Sequence, residues 1–276
     1  MGPQQTEVPK LPIPGVKHLI AVGSGKGGVG KTTVAVNLAI ALASQGLKVG
    51  LLDADVYGPN VPLMMGTREN PHSIGERIQP LSNYGVKLMS MGFLSPGDKP
   101  LVWRGPMLHS VIQQFLRSVD WGELDYLVID LPPGTGDVQI SMIQTAPISG
   151  AVIVTTPSEV SLEDARKAIH MFNQVRVPVL GVVENMSYLL NPSSGERIDV
   201  FGMGGGQIMA QTMGVAFLGE LALDPEVRKA GDSGKPIALK GAGDAQAKGF
   251  HDLAKTVRAK LDESGGPKSP TMTMED

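Results

Sequence analysis

A short glycine-rich stretch of the chain has the residues and spacing of a phosphate-binding loop. Residues 25–32, GKGGVGKT, fit the pattern G-x-x-x-x-G-K-[ST] at every fixed position. Glycine lets backbone N–H groups converge on phosphate oxygens without obstruction from side chains. In this pattern Lys31 reaches the β- and γ-phosphates, and the Thr32 hydroxyl binds Mg²⁺. The stretch therefore predicts a site for a nucleoside triphosphate, formed by Gly25, Lys26, Gly27, Gly28, Val29, Gly30, Lys31, Thr32 and Thr33.

Aspartates follow two other apolar runs of the sequence. Asp130 directly follows the run YLVI, and Asp53 and Asp55 follow the run KVGLL. A carboxylate at the carboxyl end of a parallel strand, beside the strand that carries the loop, is suited to hold Mg²⁺. Asp53 and Asp55 share one orientation along a strand, and the alternative for such aspartates, taken alone, is that they are solvated or cap a helix. With the loop nearby we predict a metal site at Thr32, Asp53 and Asp130.

The elements that position these residues alternate between strands and helices. Apolar, β-branched runs predict strands at 18–22, 48–52, 126–129, 151–154 and 178–183, with weaker candidates at 86–91 and 215–218. Helical spacing predicts helices at 32–43, 105–118, 138–146, 161–174, 206–213 and 246–261. Continuously apolar strands separated by helices indicate an α/β fold, a mostly parallel sheet with helices on both faces. The loop then lies between a strand and the N-terminus of a helix, where phosphate binds.

Composition narrows the possible functions. The chain has 276 residues, 24 Lys plus Arg against 27 Asp plus Glu, a net charge of −3 and no cysteine. The charge gives no general attraction to nucleic acid or anionic membrane. The absence of cysteine excludes disulfides, a cysteine nucleophile, zinc–thiolate sites and thiolate-bound iron–sulfur clusters. The five histidines show no metal-ligand spacing. Without a signal sequence or an apolar span, we expect a cytoplasmic protein.

Composition along the chain predicts its organisation. Residues 1–14 are proline-rich and lack apolar periodicity, so we expect a flexible leader. Residues 15–263 are expected to form a single ATPase domain, and the polar residues 264–276 a disordered tail. The last predicted helix is amphipathic and basic, which is compatible with lying on a bilayer or with docking on its own domain. Its apolar face is thin, and we therefore expect docking.

Long strings of residues resemble one family of proteins. The chain resembles the deviant Walker A ATPases related to MinD and ParA, because its loop KGGVGKT carries an additional lysine, Lys26. Within that group the chain resembles the Mrp/Nbp35 family of iron–sulfur cluster carriers, from residue 15 to about residue 261. The strings that carry the resemblance are DADVYGPNVP at 53–62, WRGPM at 103–107, DYLVIDLPPGTGD at 125–137 and VENMSY at 183–188.

The resemblance implies a role for each matching residue. It assigns Lys31 and the loop glycines to the phosphates of ATP, and Thr32 with Asp130 to Mg²⁺. It further implies that Asp55 positions the attacking water and that Asn185 contacts adenine. Lys26 would reach across a homodimer to the nucleotide of the partner, which makes Lys26, Lys31 and Asp55 the catalytic residues. Phosphoryl transfer needs mainly positioning and charge neutralisation, in agreement with these roles.

The chain departs from the carriers at the cluster site. In that family a Cys-Pro-x-Cys pair follows the ENMSY segment, and the pairs of two subunits bridge an iron–sulfur cluster. The matching residues here are Asn191, Pro192, Ser193 and Ser194, so both thiols are replaced. Amide and hydroxyl groups are poor ligands for such a cluster. The family therefore implies a cluster whose ligands this chain lacks.

Two classes of function remain open at this point. The first is a slow, Mg²⁺-dependent, dimeric ATPase of the carrier family, whose partners would be iron–sulfur assembly proteins or apo-protein clients. The second is a nucleotide-switched positioning or regulatory ATPase like ParA and MinD, which would need a patch for DNA, membrane or protein. A metabolic kinase or synthetase would need an acceptor pocket, for which the sequence gives no sign. No strong sign of nucleic-acid or membrane binding is visible.

Overall fold

The structure is a computed structural model that describes residues 11–94 and 105–263. Its strands are β1 Val16–Gly23, β2 Val49–Asp53, β3 His72–Ile74, β4 Arg77–Gln79, β5 Leu81–Asn83, β6 Val86–Ser90, β7 Leu124–Asp130, β8 Gly150–Thr155, β9 Val179–Glu184, β10 Leu189–Leu190, β11 Arg197–Ile198 and β12 Phe217–Glu220. Its α-helices are α1 Lys31–Ala43, α2 Val61–Met64, α3 Gly105–Arg117, α4 Asp137–Thr145, α5 Glu159–Gln174, α6 Gly205–Thr212, α7 Pro225–Asp232 and α8 Lys248–Glu263.

A central eight-stranded sheet organises the fold. Its order is β12-β9-β8-β1-β7-β2-β6-β5, and every neighbouring pair is parallel except β5 with β6. Strands β2 and β8 are buried along their whole length, as the continuous apolar runs predict for a sheet covered on both faces. The α/β fold predicted from the sequence is confirmed.

Alternate residues of β1 pack into two separate cores. Leu19 and Ala21 face the helices α3, α4, α5 and α6, whereas Ile20 and Val22 face α1 and α8. This alternation follows from the two-residue period of a strand. The two cores hold β1 from its two faces, and the second core also contains α1, so the loop that joins β1 to α1 is fixed at both ends.

The terminal helix docks on the domain, as predicted. Its apolar face, Phe250, Leu253, Val257 and Leu261, is at most 3% exposed and packs into the core that contains α1. No described helix is both long enough and apolar enough to cross a bilayer.

Several elements were absent from the sequence prediction. The strands β3, β4, β10 and β11 are two or three residues long, too short for a periodic pattern. Helix α7 begins with Pro225 and is capped by the Asp224 carboxylate, which accepts from the backbone N–H of Glu226 at 2.7 Å. Ile13, within the predicted leader, is buried. Residues 1–10, the tail 264–276 and the WR of the WRGPM string lie outside the described residues.

Candidate functional site

The glycine-rich loop runs from the end of β1 to the start of α1. Gly28 and Gly30 have φ angles of +82° and +81°, which glycine adopts without the steric cost of a side chain. A Cβ on Gly30 would lie 2.2 Å from the Nδ2 atom of Asn185, and one on Gly25 would lie 2.0 Å from the carbonyl oxygen of Asp164. The loop conformation and its close packing therefore both require glycine at these positions.

Lys31, Thr32 and Asp130 meet directly at the N-terminus of α1. The Lys31 ammonium donates to Asp130 Oδ1 at 2.6 Å, and the Thr32 hydroxyl donates to Asp130 Oδ2 at 2.7 Å. The register of the sheet explains this arrangement, since Val22 of β1 and Asp53 of β2 both pair with Asp130 of β7. Burial raises the pKa of Asp130, while the charge and hydrogen bond of Lys31 act in the opposite direction.

Asp55 lies on the other side of the lysine. Its Oδ2 atom is 3.8 Å from Lys31 Nζ, and its Oδ1 atom accepts from the backbone N–H groups of Tyr57 at 3.0 Å and Gly58 at 3.3 Å. The side chain therefore closes its own turn and keeps one oxygen on the lysine side.

Asp53, the third predicted metal ligand, is surrounded by hydrogen-bond donors of the protein. Its carboxylate is fully buried and accepts from the Ser90 hydroxyl at 2.8 Å and from the N–H groups of Val61 and Asp55, each at 3.2 Å. Burial, with the nearby charge of Asp130, raises its pKa to about 8. Both oxygens have protein donors, so this geometry favours a role in holding the segment that carries Asp55.

Mg²⁺ fits the donors beside the loop. The Thr32 hydroxyl and the Asp130 carboxylate offer hard oxygen atoms side by side. Mg²⁺ keeps several waters and is usually bound through one or two carboxylates and the phosphates of a substrate. The described residues contain no group of three or more His, Asp or Glu side chains that could hold a metal on its own. The site therefore suits a metal that arrives with a nucleotide.

A cavity of about 360 Å³ adjoins the start of α1. Thr32, Thr33 and Asn185 line it, as expected for a continuation of the phosphate site. The sequence prediction missed the rest of its wall, which includes Ala222, Leu223, Asp224, Val227 and Arg228. The available signal was topological, because the segment 221–224 follows β12 at the carboxyl edge of a parallel sheet, where ligands bind.

Asn185 and Lys26 flank the loop. The Asn185 side chain donates from Nδ2 to the Val29 carbonyl at 2.9 Å, which holds its amide against the loop. Lys26 is partly exposed, and its carbonyl oxygen accepts from the Ser24 hydroxyl at 2.9 Å. The structure thus places Asn185 in the wall of the cavity beside α1 and presents Lys26 at the surface of the loop.

The segment that matches the family's cluster loop forms a hairpin between β10 and β11. At its turn the Asn191 side-chain oxygen accepts from the N–H groups of Ser193 at 2.9 Å and Ser194 at 3.3 Å. The Ser194 hydroxyl in turn accepts from the N–H of Glu196 at 3.3 Å. The side chains that replace the family's cysteines therefore close the turn, and their chemistry does not fit an iron–sulfur cluster.

Arg197 attaches the hairpin to the domain. Its guanidinium lies 4.4 Å from the centre of the Tyr188 ring and donates to Glu220 at 2.8 Å and to Asp199 at 2.7 Å. The hydrogen bond to Glu220, followed by the one to Asp199, raises the pKa of Arg197. The hairpin is thus fastened to the edge strand β12.

Comparison with known proteins places these features in context. A family model described as "ParA: NUBPL iron-transfer P-loop NTPase" matches residues 15–258. The "Iron-sulfur cluster carrier protein" of Aquifex aeolicus is 50% identical over 257 residues, which cover 92% of this chain and 71% of the relative. The "Iron-sulfur cluster transfer protein NUBPL" of Mus musculus is 51% identical over 256 residues, which cover 92% of this chain and 80% of that relative.

Solved structures agree with the sequence relatives. A nucleotide-binding protein from Archaeoglobus fulgidus in complex with ADP is 42% identical and superposes with a TM-score of 0.72, over 80% of this chain and 87% of that one. The cell division ATPase MinD of Pyrococcus furiosus is 24% identical and superposes with a TM-score of 0.65, over 88% of this chain and 99% of that one. At this identity the similarity is one of fold.

Proposed function

The chain belongs to the family of NUBPL iron-transfer P-loop NTPases, and we propose that it is a slow, Mg²⁺-dependent ATPase that works as a homodimer in iron–sulfur cluster assembly. The observation that carries this proposal is the meeting of Lys31, Thr32 and Asp130 at a helix N-terminus behind a glycine loop. That arrangement supplies positive charge, backbone donors and hard oxygen ligands at one place, as triphosphate binding requires.

Lys31 is the central charge of the proposed site. It lies between the carboxylates of Asp130 and Asp55 and is 6% exposed, so its ammonium is held in place before a phosphate arrives. When ATP binds, the ammonium neutralises β- and γ-phosphate oxygens. Mg²⁺, held through Thr32 and Asp130, would neutralise charge on the same phosphates.

Asp55 is proposed to orient the attacking water. Its carboxylate is fixed by the turn at Tyr57 and Gly58, and buried Asp53 fixes the start of the same segment. Orienting a nucleophile lowers the barrier to reaction with little effect on the affinity for the ground state.

Asn185 is proposed to contact the adenine base. The amide nitrogen of Asn185 donates to the Val29 carbonyl, so the side-chain oxygen is the atom that would accept a hydrogen bond from the base. An acceptor pairs with the 6-amino group of adenine, whereas the 6-oxo group of guanine would be repelled by it. The cavity beside Thr33 and Asn185 has room for a base.

Lys26 is proposed to act in the partner subunit. It lies partly exposed on the loop, so in a homodimer its ammonium would be delivered to the partner's triphosphate. A charge supplied in trans couples hydrolysis to dimer formation.

The proposed role in cluster assembly is inferred from the family to which the chain belongs. In this role the iron–sulfur cluster is a cargo and not a resident cofactor. Because this chain has no cysteine, thiolates for that cargo would come from assembly proteins or apo-protein clients. The ParA/MinD-like alternative is not favoured, since the apolar face of α8, its one candidate patch for a membrane, is buried.

We propose that the protein is cytoplasmic, which fractionation of the source cells would test. One plant relative is named as mitochondrial.

An Asp55→Ala variant tests the enzymatic proposal. We expect its ATP affinity to stay within about threefold of wild type, while phosphate release falls about 100-fold, because a positioning group acts mainly in the transition state. Calorimetry gives the affinity, and a phosphate-release assay with and without Mg²⁺ gives the rate. A wild-type chain that releases no phosphate above background, or an Asp55→Ala variant with the wild-type rate, would contradict the proposal.

A further inference from the structure

Glu184 is a buried carboxylate that the proposed chemistry does not use. It ends β9, has no exposed surface and directly precedes Asn185. Its Oε1 atom accepts from the Ser187 hydroxyl at 2.6 Å, and its Oε2 atom accepts from the N–H of Gly206 at 2.5 Å. Within the described residues no lysine or arginine forms an ion pair with it. Burying a carboxylate in this way is costly, which calls for a compensating role.

Helix α6 is built to receive this carboxylate. Gly206 lies in the first turn of α6, where the helix dipole stabilises a negative charge. A Cβ at this position would lie 2.8 Å from Oε2, so glycine leaves the space that the carboxylate occupies. The Glu184 side chain thereby fixes the end of β9 to α6.

The turn that Glu184 closes is strained. Met186 has a φ angle of +53°, a conformation that costs a residue with a side chain about 1 kcal/mol or more. The backbone on both sides is fastened to Leu221, whose N–H donates to the Glu184 carbonyl at 2.8 Å and whose carbonyl accepts from Ser187 at 2.9 Å. The hydrogen bond between the Glu184 carboxylate and the Ser187 hydroxyl closes the same turn through its side chains.

The strained turn carries the base-contacting residue. Asn185 lies between Glu184 and Met186, and from this turn its amide donates to the Val29 carbonyl at 2.9 Å. Met186 also lines the nucleotide cavity. A relaxed turn would move the Asn185 amide away from the loop and free it to rotate, so that either its oxygen or its nitrogen faces the base.

We propose that Glu184 is a positioning residue for base selection: by tying Ser187 and Gly206 together it holds Asn185 in the orientation that favours adenine over guanine. This inference rests on the proposed ATP site. It assigns to Glu184 an effect on the base, because its side-chain hydrogen bonds go to Ser187 and Gly206 and not to the residues of the phosphate loop.

The test compares three ligands by calorimetry with Mg²⁺: ATP, GTP and inorganic tripolyphosphate. In Glu184→Ala and Ser187→Ala proteins we expect the ratio of ATP to GTP affinity to fall about tenfold, the equivalent of about 1.4 kcal/mol, with tripolyphosphate affinity unchanged. Glu184→Gln should keep the wild-type ratio, because its carbonyl oxygen accepts from Gly206 and its amide donates to Ser187. Glu220→Ala removes a partly exposed carboxylate that is paired in register with Glu184 but bonded to Arg197, and it serves as the control.

The outcomes separate this inference from the proposed function. A wild-type preference for ATP that both alanine variants retain would overturn the inference alone. An equal loss of affinity for all three ligands would also overturn it, since that is the mark of general disruption. If Glu184→Ala does not fold, Ser187→Ala decides the question by the same ratio. A wild-type chain that binds none of the ligands would overturn the proposed function and this inference with it.

Discussion

The phosphate loop and the β10–β11 hairpin have diverged to different extents from the carriers that this chain resembles. At the loop every position of the motif is present, and Lys31, Thr32 and Asp130 are in direct contact. At the hairpin the backbone is an ordered turn, but Asn191 and Ser194 stand where the family has cysteines. The phosphate-loop motif of a family can therefore persist on a fold in which the segment that matches the family's cluster loop has lost its cysteines.

The largest effect is expected at the loop. Lys31→Ala removes the ammonium that a triphosphate requires, so ATP affinity should fall at least about 100-fold. Lys17→Ala is the matched control, because Lys17 lies near the other end of β1 in an exposed pair with Asp125. Calorimetry on both proteins, with circular dichroism to check folding, measures the difference. Unchanged ATP affinity in a folded Lys31→Ala protein would show that the loop assignment is wrong.

A smaller effect is expected at Lys26. Lys26→Ala should bind ATP within about threefold of wild type, yet lose ATP-dependent dimers and at least about 90% of its hydrolysis, because the missing charge acts in trans. Sedimentation with a non-hydrolysable ATP analogue measures the dimer fraction, and Lys167→Ala on α5 provides an exposed-lysine control. Equal dimer fractions in wild type and Lys26→Ala would exclude the trans role.

The smallest effect is expected at the hairpin. Arg197 is partly exposed, so its loss should weaken the attachment of the hairpin by only about 1 kcal/mol. Hydrogen exchange of the amides at 189–198 should accelerate roughly fivefold in Arg197→Ala, with ATP affinity unchanged. Arg166→Ala removes a comparable surface arginine from α5 and should leave exchange in the hairpin as it is. Wild-type exchange in Arg197→Ala would mean that other contacts hold the hairpin.

The two regions also differ in how far the sequence predicts them. The loop and Asp130 were predictable because phosphate chemistry allows few residue types, and long apolar runs such as β7 mark their own strands. The hairpin strands have two residues each, too few for a periodic signal, and α7 buries only Gly231, so it shows no apolar face in the sequence. The cavity wall at 222–228 depends on where β12 ends in the folded sheet, which local sequence does not reveal.

The different surroundings of Asp53 and Asp55 show a second limit of sequence reasoning. The two aspartates lie two residues apart at the end of the same strand, and nothing in the sequence distinguishes them. Ser90 and Val61, which lie 37 and 8 residues away along the chain, give Asp53 its donors, whereas Asp55 bonds within its own turn. Tertiary contacts of this kind distinguish a carboxylate whose oxygens are both bonded within the protein from one that faces Lys31.

Replacing the ligands would extend the comparison. Asn191→Cys combined with Ser194→Cys places two thiols at the family spacing on an exposed turn, four in a homodimer, the number that a [4Fe–4S] cluster takes. Under anaerobic reconstitution we expect this variant to gain visible absorption, iron and sulfide in that stoichiometry. A variant that stays colourless would show that the hairpin no longer presents a cluster site.

The most direct test of the account is the same reconstitution applied to the unmodified chain, with ATP binding measured on the desalted sample. We predict a protein that binds ATP but retains no stoichiometric iron or sulfide, because no residue can supply a thiolate. A tightly held [4Fe–4S] cluster in this chain would contradict the account.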